Sequence, residues 1–541
     1  MSPLREGSVP TGPRPDVLVI GSGVGGAAAA HALVEAGLRV WMLERGPRVL
    51  RGPHNWAPDA VMELSPYYAT ESPYVVRGDD RGLAGAFHCV GGPAVFYGGV
   101  ALRMRESDFE SDGDVVGDSG ARWPHGYDEL EPYYVRAENL LEVAGRENQH
   151  RRDPWRSAPY PQPAIDPLGP SRRVWAAAES LGLSPSLLPL AIRHGGVGDT
   201  RASCTRCGTC DGYACAVSAK REPSTAILPR LEKRGLVLIP DTVATRLLRR
   251  GGRIVGVECA HVPTGRRWIA RADRYVLAAG ALASPRLVLA SGLDASSPAR
   301  DWVGRCLMRH CNAIVYGLFA ERLEGARSFH KQVGIFDLYG GGSAPALGGL
   351  QSIHPAPPGL VRARVPGPLG ALAEPLADHS TGLLAIAEDQ PRRENRVELD
   401  LRRTDRFGVP PGVITHRYTA RDLRARRALT GVAARILREA GAALTFRVRI
   451  LTFSHAVGTL RTGVDPRTSP LDPSCRFRGI ENLWVMDGSF MPRSGGVNPS
   501  LTIAANALKC ATALAGAQSL REVGAKGAPA KPPAVAAGGY R

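Results

Sequence analysis

Three glycines near the start of the chain, Gly21, Gly23 and Gly26, stand in G-x-G-x-x-G spacing, and Glu44 follows 18 residues after the last of them. This combination has the chemistry to bind a dinucleotide. Gly21 permits a tight turn, Gly23 lets backbone approach a pyrophosphate, and Gly26 allows a helix to pack closely on a strand. The N–H groups at a helix start would then hold the phosphates at the positive end of the helix dipole. Glu44 can accept hydrogen bonds from a ribose diol and would repel a 2′-phosphate. Arg45-Gly46-Pro47, directly after the acid, leans the reading toward FAD over NAD. A second set with chemical capacity is Cys204, Cys207, Cys210 and Cys215, spaced C-x2-C-x2-C-x4-C. Thiolates so placed can hold an iron–sulfur cluster or zinc. The ferredoxin-like run, however, has Pro after its last Cys, where this chain has Ala216. Structural thiols, or one or two disulfides closing the loop, are the favoured reading, and no metal ligand is assigned.

These residues need elements to position them. The short apolar run Val17 to Ile20 has strand length, an Ala-rich amphipathic segment follows the glycines, and Val40 to Leu43 is a second apolar run ending in Glu44. That is a complete βαβ unit. Residues 47–85 are rich in Pro, Tyr and Gly without a clear period and read as a loop wrapping the cofactor. Gly91-Gly92 and Gly98-Gly99 flank small and aromatic residues, which suits backbone lying against a flat ring or a diphosphate, or a tight surface turn. Strands are expected at 236–240 and 242–248, with a hairpin to 254–260. A buried strand over 274–279 runs into Gly280 and a helix from Ser284-Pro285 to Ala290, a second cofactor-facing corner.

Residues 305–450 change texture. Alternating runs at 313–319, 383–388 and 396–401 read as antiparallel strands, a Pro/Gly-rich loop is expected at 355–377, and a helix at 420–440. The chain then returns to a strand over 482–487 ending in Asp487, and a helix from Ser500 to Ala515. The expected fold is α/β: a Rossmann-like FAD-binding domain over 16–304, rejoined by 451–515, and a second mixed-sheet (α+β) substrate-binding domain over 305–450. The tail 516–541 has the composition of a disordered segment.

Length and composition bound the rest. The 541 residues suffice for two or three domains, and 44% apolar with 22% charged residues is ordinary for a globular protein. The formal charge of +17 comes mostly from scattered arginines. No basic stretch interleaves with aromatics, so nucleic acid is not an expected partner. The polar, Pro-rich N-terminus lacks a signal-peptide core, and no window carries the uninterrupted apolar run of a membrane span. The ten cysteines then read as thiols of a soluble cytoplasmic protein without a membrane partner.

Taken together, several segments resemble the glucose–methanol–choline (GMC) oxidoreductase family of flavoenzymes. GSGVGG with ERGP is similar to its FAD fingerprint, and Gly280 to Leu293, GALASPRLVLASGL, to its second signature, with Asp294 in place of a final Gly. WPHGYDELEPYY, SHAVGTLRTG and NLWVMDGSFMPRSGGVNPSLTIAANA extend the likeness over roughly residues 16–515. The resemblance implies oxidation of a primary or secondary alcohol of a sugar-like or other small molecule. In this reading His455 takes the hydroxyl proton, FAD takes the hydride at N5, and oxygen or another acceptor takes the electrons. Alone, a His among Ser454, Gly458 and Thr459 would more often be structural. Asn498 matches the second residue facing the flavin, and it also suits a turn before Pro499. The resemblance further implies flavin contacts at Gly91, Gly92, Asp487 and the Asn498-Pro499 backbone, with Val243 at the adenine. Covalent members have a His where Phe96 stands, so noncovalent FAD is expected. The alternative is a flavin-fold lyase with structural FAD and His455 as its acid and base.

Overall fold

The computed structural model describes residues 13–516 except 70–73, 78–85, 111, 196–201, 330, 342–343, 366 and 374. The tail expectation thus falls outside the described residues from 517 onward.

Five strands form a wholly parallel sheet in the order Leu483–Val485, Arg274–Leu277, Val17–Ile20, Val40–Leu43 and Val237–Ile239. Their side chains are almost all buried because helices or loops cover both faces. The helix Val24–Glu35 shows why the sequence is Ala-rich there. Ala27 to Ala30 are fully buried, since one side packs on the sheet and another on the helix Ser500–Ala515. Small side chains let three layers approach closely. A methyl group on Gly26 would stand 2.0 Å from the Gly21 carbonyl oxygen, and one on Gly21 (φ +107°) 2.3 Å from that of Ala278. Both positions require glycine.

The parallel arrangement has one consequence for function. Gly21, Glu44, Gly280 and Asp487 follow the C-terminal ends of four of the five strands, so residues spread over more than 460 positions meet at one sheet edge. Open α/β sheets bind ligands at that edge.

Beside it, Thr242–Arg250, Arg253–His261 and Arg267–Ala270 make a three-stranded antiparallel meander. A second large sheet has six antiparallel strands, ordered Leu444–Arg449, Ala313–Leu318, Ser380–Ala387, Gly348–Ile353, Val333–Ile335 and Pro185–Leu187. Its last strand comes from outside the 305–450 block. The helix Ala420–Glu439, capped by Thr419, buries Leu429, Ala433, Ile436 and Leu437 against one face, over Val315, Leu383 and Ala385. All eight residues of Ser380–Ala387 are buried, because this central strand is covered on both faces.

Two stretches read as loops carry short elements. Residues 355–377 hold the helices Pro358–Arg364 and Pro368–Ala373, and a turn Pro375–His379. A proline opens each, at the helix position where no N–H is needed. Within 47–85, Tyr74–Arg77 pairs in parallel with Gly412–Thr415. That long-range partner leaves no local signal in the sequence. Among the described residues no helix is long and apolar enough to cross a membrane.

Candidate active site

The dinucleotide end is already assembled by the chain. Glu44 is buried; its Oε2 accepts from the Ser22 hydroxyl at 2.6 Å and the Ser22 N–H at 3.0 Å, and its Oε1 from the Gly46 N–H at 3.0 Å. Burial raises its pKa, and these hydrogen bonds oppose the rise. Ser22 also ties in the paired glycines, because the Gly91 N–H donates to its hydroxyl at 3.0 Å. Gly92 lies so near that a Cβ there would be 3.2 Å from the Gly23 Cα. Asp487 joins three segments: Oδ2 accepts from the Gly280 N–H at 2.9 Å and from the Ser284 hydroxyl, and Oδ1 from the Ser489 N–H at 2.8 Å. Val243 is buried with Ala260, Phe407 and Val409 next to Thr242, whose N–H donates to the Glu44 carbonyl at 2.8 Å. By contrast, a Cβ on Gly23 or Gly280 would meet nothing within 4 Å. Those two backbones border open space flanked by helix N–H groups and a buried acid, which fits a flavin dinucleotide.

His455 is half-buried and stands on the loop after the edge strand Leu444–Arg449. Its pKa is lowered to about 3, first by burial and then by the His310 ring and the Lys331 ammonium, so the ring is neutral. Its one hydrogen bond to the described residues joins its Nδ1 to the Nδ1 of His310 at 2.9 Å, with the rings edge to face. Backbone register brings the two together. Met308 and Val457 form an antiparallel bridge, with N–H to O distances of 3.0 and 2.9 Å, which sets 310 opposite 455.

Asn498 reaches the same site from the helix start at Ser500. Its Oδ1 accepts from Gln351 Nε2 at 2.7 Å, leaving the Asn498 NH2 available as a donor. Gln351 is fully buried on the six-stranded sheet, and its own Oε1 has no hydrogen-bond partner among the described residues. The Asn498 segment is linked to the histidines too, since His310 Nε2 lies 3.1 and 2.9 Å from the carbonyl oxygens of Ser494 and Gly495. The structure thus joins His455 to His310, joins the Ser494-Gly495 stretch that leads to Asn498 to the same ring, and places Gly21, Gly23, Glu44, Gly91, Gly92, Gly280 and Asp487 at the sheet edge. His310, Gln351 and Asp389 are partners that the sequence reading missed. Asp389 is a buried carboxylate accepting from the N–H groups of Arg309 at 2.8 Å and His310 at 3.0 Å, and from the Ser494 hydroxyl at 2.9 Å.

The four-cysteine segment also carries an acid. Asp211, between Cys210 and Gly212, pairs with buried Lys331 at 3.0 Å. None of the ten cysteines, all of them described, is in a disulfide, and among the described residues no group of three or more His, Cys, Asp or Glu side chains is arranged to hold a metal.

Comparison with known proteins identifies this arrangement. Residues 166–312 and 391–507 match the two family profiles described as GMC oxidoreductase, and residues 16–58 match an FAD binding domain. The 6'''-hydroxyparomomycin C oxidase of Streptomyces lividus is 34% identical over 92% of this chain and 91% of its own. The chain belongs to the GMC oxidoreductase family. Paromamine 6'-oxidase of Streptomyces fradiae is 32% identical over 93% of this GMC oxidoreductase and 91% of its own length. Pyridoxine 4-oxidase from Mesorbium loti shares the fold, with a TM-score of 0.65 at 19% identity over 92% of this chain and 98% of its own. This GMC oxidoreductase is therefore an FAD-dependent enzyme with the expected α/β architecture, and its class of reaction is the oxidation of CH–OH groups.

Proposed function

We propose that the enzyme oxidises a primary or secondary hydroxyl of a sugar-like or other small hydroxylated molecule, with His455 as the base. The observation that carries this reading is a neutral imidazole, His455, joined through one bridging ring to the segment bearing the free amide of Asn498. The two Streptomyces relatives, oxidases named for 6'''-hydroxyparomomycin C and paromamine, support the substrate class. When bound, FAD supplies the hydride acceptor. Gly21, Gly23, Gly26, Glu44, Gly91, Gly92, Val243, Gly280 and Asp487 would hold it, together with the Asn498-Pro499 backbone. His455 removes the hydroxyl proton, and Asn498 donates an N–H to the substrate oxygen, fixing its orientation. Gln351 holds Asn498 in the donating pose. Replacing Gln351 with Leu is expected to lower kcat/KM for the alcohol about tenfold, the worth of one positioning hydrogen bond, by steady-state kinetics.

The division into 16–304 with 451–515 for the flavin, 305–450 for the substrate and 516–541 as a tail is part of the same reading. All five parallel strands come from the first part, and five of the six antiparallel strands from the second. A cytoplasmic location is also proposed, supported by the free cysteines. Electrons then leave to oxygen or to another acceptor; peroxide yield under air separates the two.

The flavin is held without a covalent bond in this proposal. Phe96 is buried against Phe87 and Tyr67, with ring centroids 5.2 and 6.5 Å away, and offers no nucleophile. Acid precipitation should therefore leave a colourless pellet and all the flavin in the supernatant; a yellow pellet would refute it. Substrate class is tested by anaerobic addition of polyols, simple sugars and paromamine. Reduction by at least one hydroxylated compound is expected, and the lyase alternative, which none of the relatives supports, requires reduction by none.

A further inference from the structure

We propose that His310 fixes the proton tautomer of His455, so that Nε2 of His455 is the basic atom. This rests on the reading of His455 as the base.

The argument follows the hydrogens. His310 Nε2 sits between two carbonyl oxygens, of Ser494 at 3.1 Å and Gly495 at 2.9 Å. Carbonyls only accept, so this nitrogen carries the hydrogen. In a neutral His310 ring the Nδ1 is then a lone pair, and it faces His455 Nδ1 at 2.9 Å. The hydrogen between the rings must belong to His455. A neutral His455 with its hydrogen on Nδ1 has a lone pair on Nε2, the nitrogen that has no protein partner among the described residues. When Nε2 takes a hydroxyl proton, the Nδ1–H bond to His310 becomes charge-assisted and shares the new charge.

The backbone is built to hold this geometry. His310 adopts φ +59°, a left-handed conformation uncommon for a residue with a side chain. Asp389 compensates by accepting both the Arg309 and His310 N–H groups, and the Tyr418 hydroxyl donates to the His310 carbonyl at 2.8 Å. Strain retained around a bridging ring points to a functional constraint.

The test uses 15N-histidine-labelled holoenzyme. The His455 signal, identified by its loss in His455→Ala, is expected in the Nδ1–H form at neutral pH. In His310→Phe it is expected to shift toward Nε2–H. Anaerobic flavin reduction by the alcohol should slow about 100-fold in that variant, with KM nearly unchanged. His310→Gln, which keeps a donor and an acceptor, should restore part of the rate. An Nε2–H signal for His455 in the unmodified holoenzyme would overturn the proposal even if His310→Phe fails to fold. So would a His310→Phe enzyme with the wild-type rate. Full activity in His455→Ala would instead refute the base assignment, whatever tautomer is observed.

Discussion

Replacing His455 with Ala is expected to slow alcohol-dependent flavin reduction by about 10²–10⁴-fold while leaving the amount of bound flavin unchanged. The magnitude is that of a general base. His455 is positioned for the role without carrying the fold: it makes one side-chain hydrogen bond among the described residues, to His310, and its ring is half-buried. The residues proposed to hold the flavin are others, at the C-terminal ends of the parallel strands. Rapid-mixing absorbance under anaerobic conditions measures the step, and the ratio of visible to ultraviolet absorbance measures flavin content. A variant reduced as fast as the parent enzyme would show that another group takes the proton.

The largest stability effect is expected at Arg493, which lies just before the segment reaching Asn498. Its guanidinium forms a bidentate pair with Glu388, at 3.1 and 3.0 Å, and both side chains are almost fully buried. Burial disfavours the Arg493 charge, but Glu388 beside it, with Asp108 and Tyr339 nearby, more than offsets this and raises its pKa. The pair also orders the site, since Glu388 Oε1 accepts from the Gly495 N–H at 3.1 Å and Arg493 donates to the Glu110 carbonyl at 2.8 Å. Arg493→Met would leave a buried carboxylate without its cation, a loss of about 3–5 kcal/mol. Removing both partners, as Arg493→Met with Glu388→Leu, should recover most of that loss because no charge is left stranded. Chemical denaturation read by Trp fluorescence checks both variants. Equal destabilisation of the single and double variants would contradict the account.

Local patterns in the sequence located the first βαβ unit. Gly21, Gly23, Gly26 and Glu44 fall within one βαβ unit, where period and spacing are read over about thirty residues. Asp487 and Gly280 are legible as chain ends of apolar runs, though only sheet order brings them together. The substrate side was less legible. His455 and Asn498 were identified through resemblance, because neither has a local pattern that separates catalysis from structure. His310 was missed because its partner lies 145 residues away and its placement depends on the bridge between Met308 and Val457. Gln351 sits in a strand whose sequence, GGLQSI, gives no sign that one polar side chain reaches Asn498. The cysteine segment is legible through its thiols, while nothing in its spacing marks Asp211, the residue it delivers to Lys331.

One measurement tests the central claim most directly: the visible spectrum of the purified protein before and after anaerobic addition of hydroxylated substrates. The account predicts flavin bands that bleach with at least one alcohol and return when an electron acceptor is admitted. Folded protein that carries no flavin, or flavin that no alcohol reduces, would contradict it.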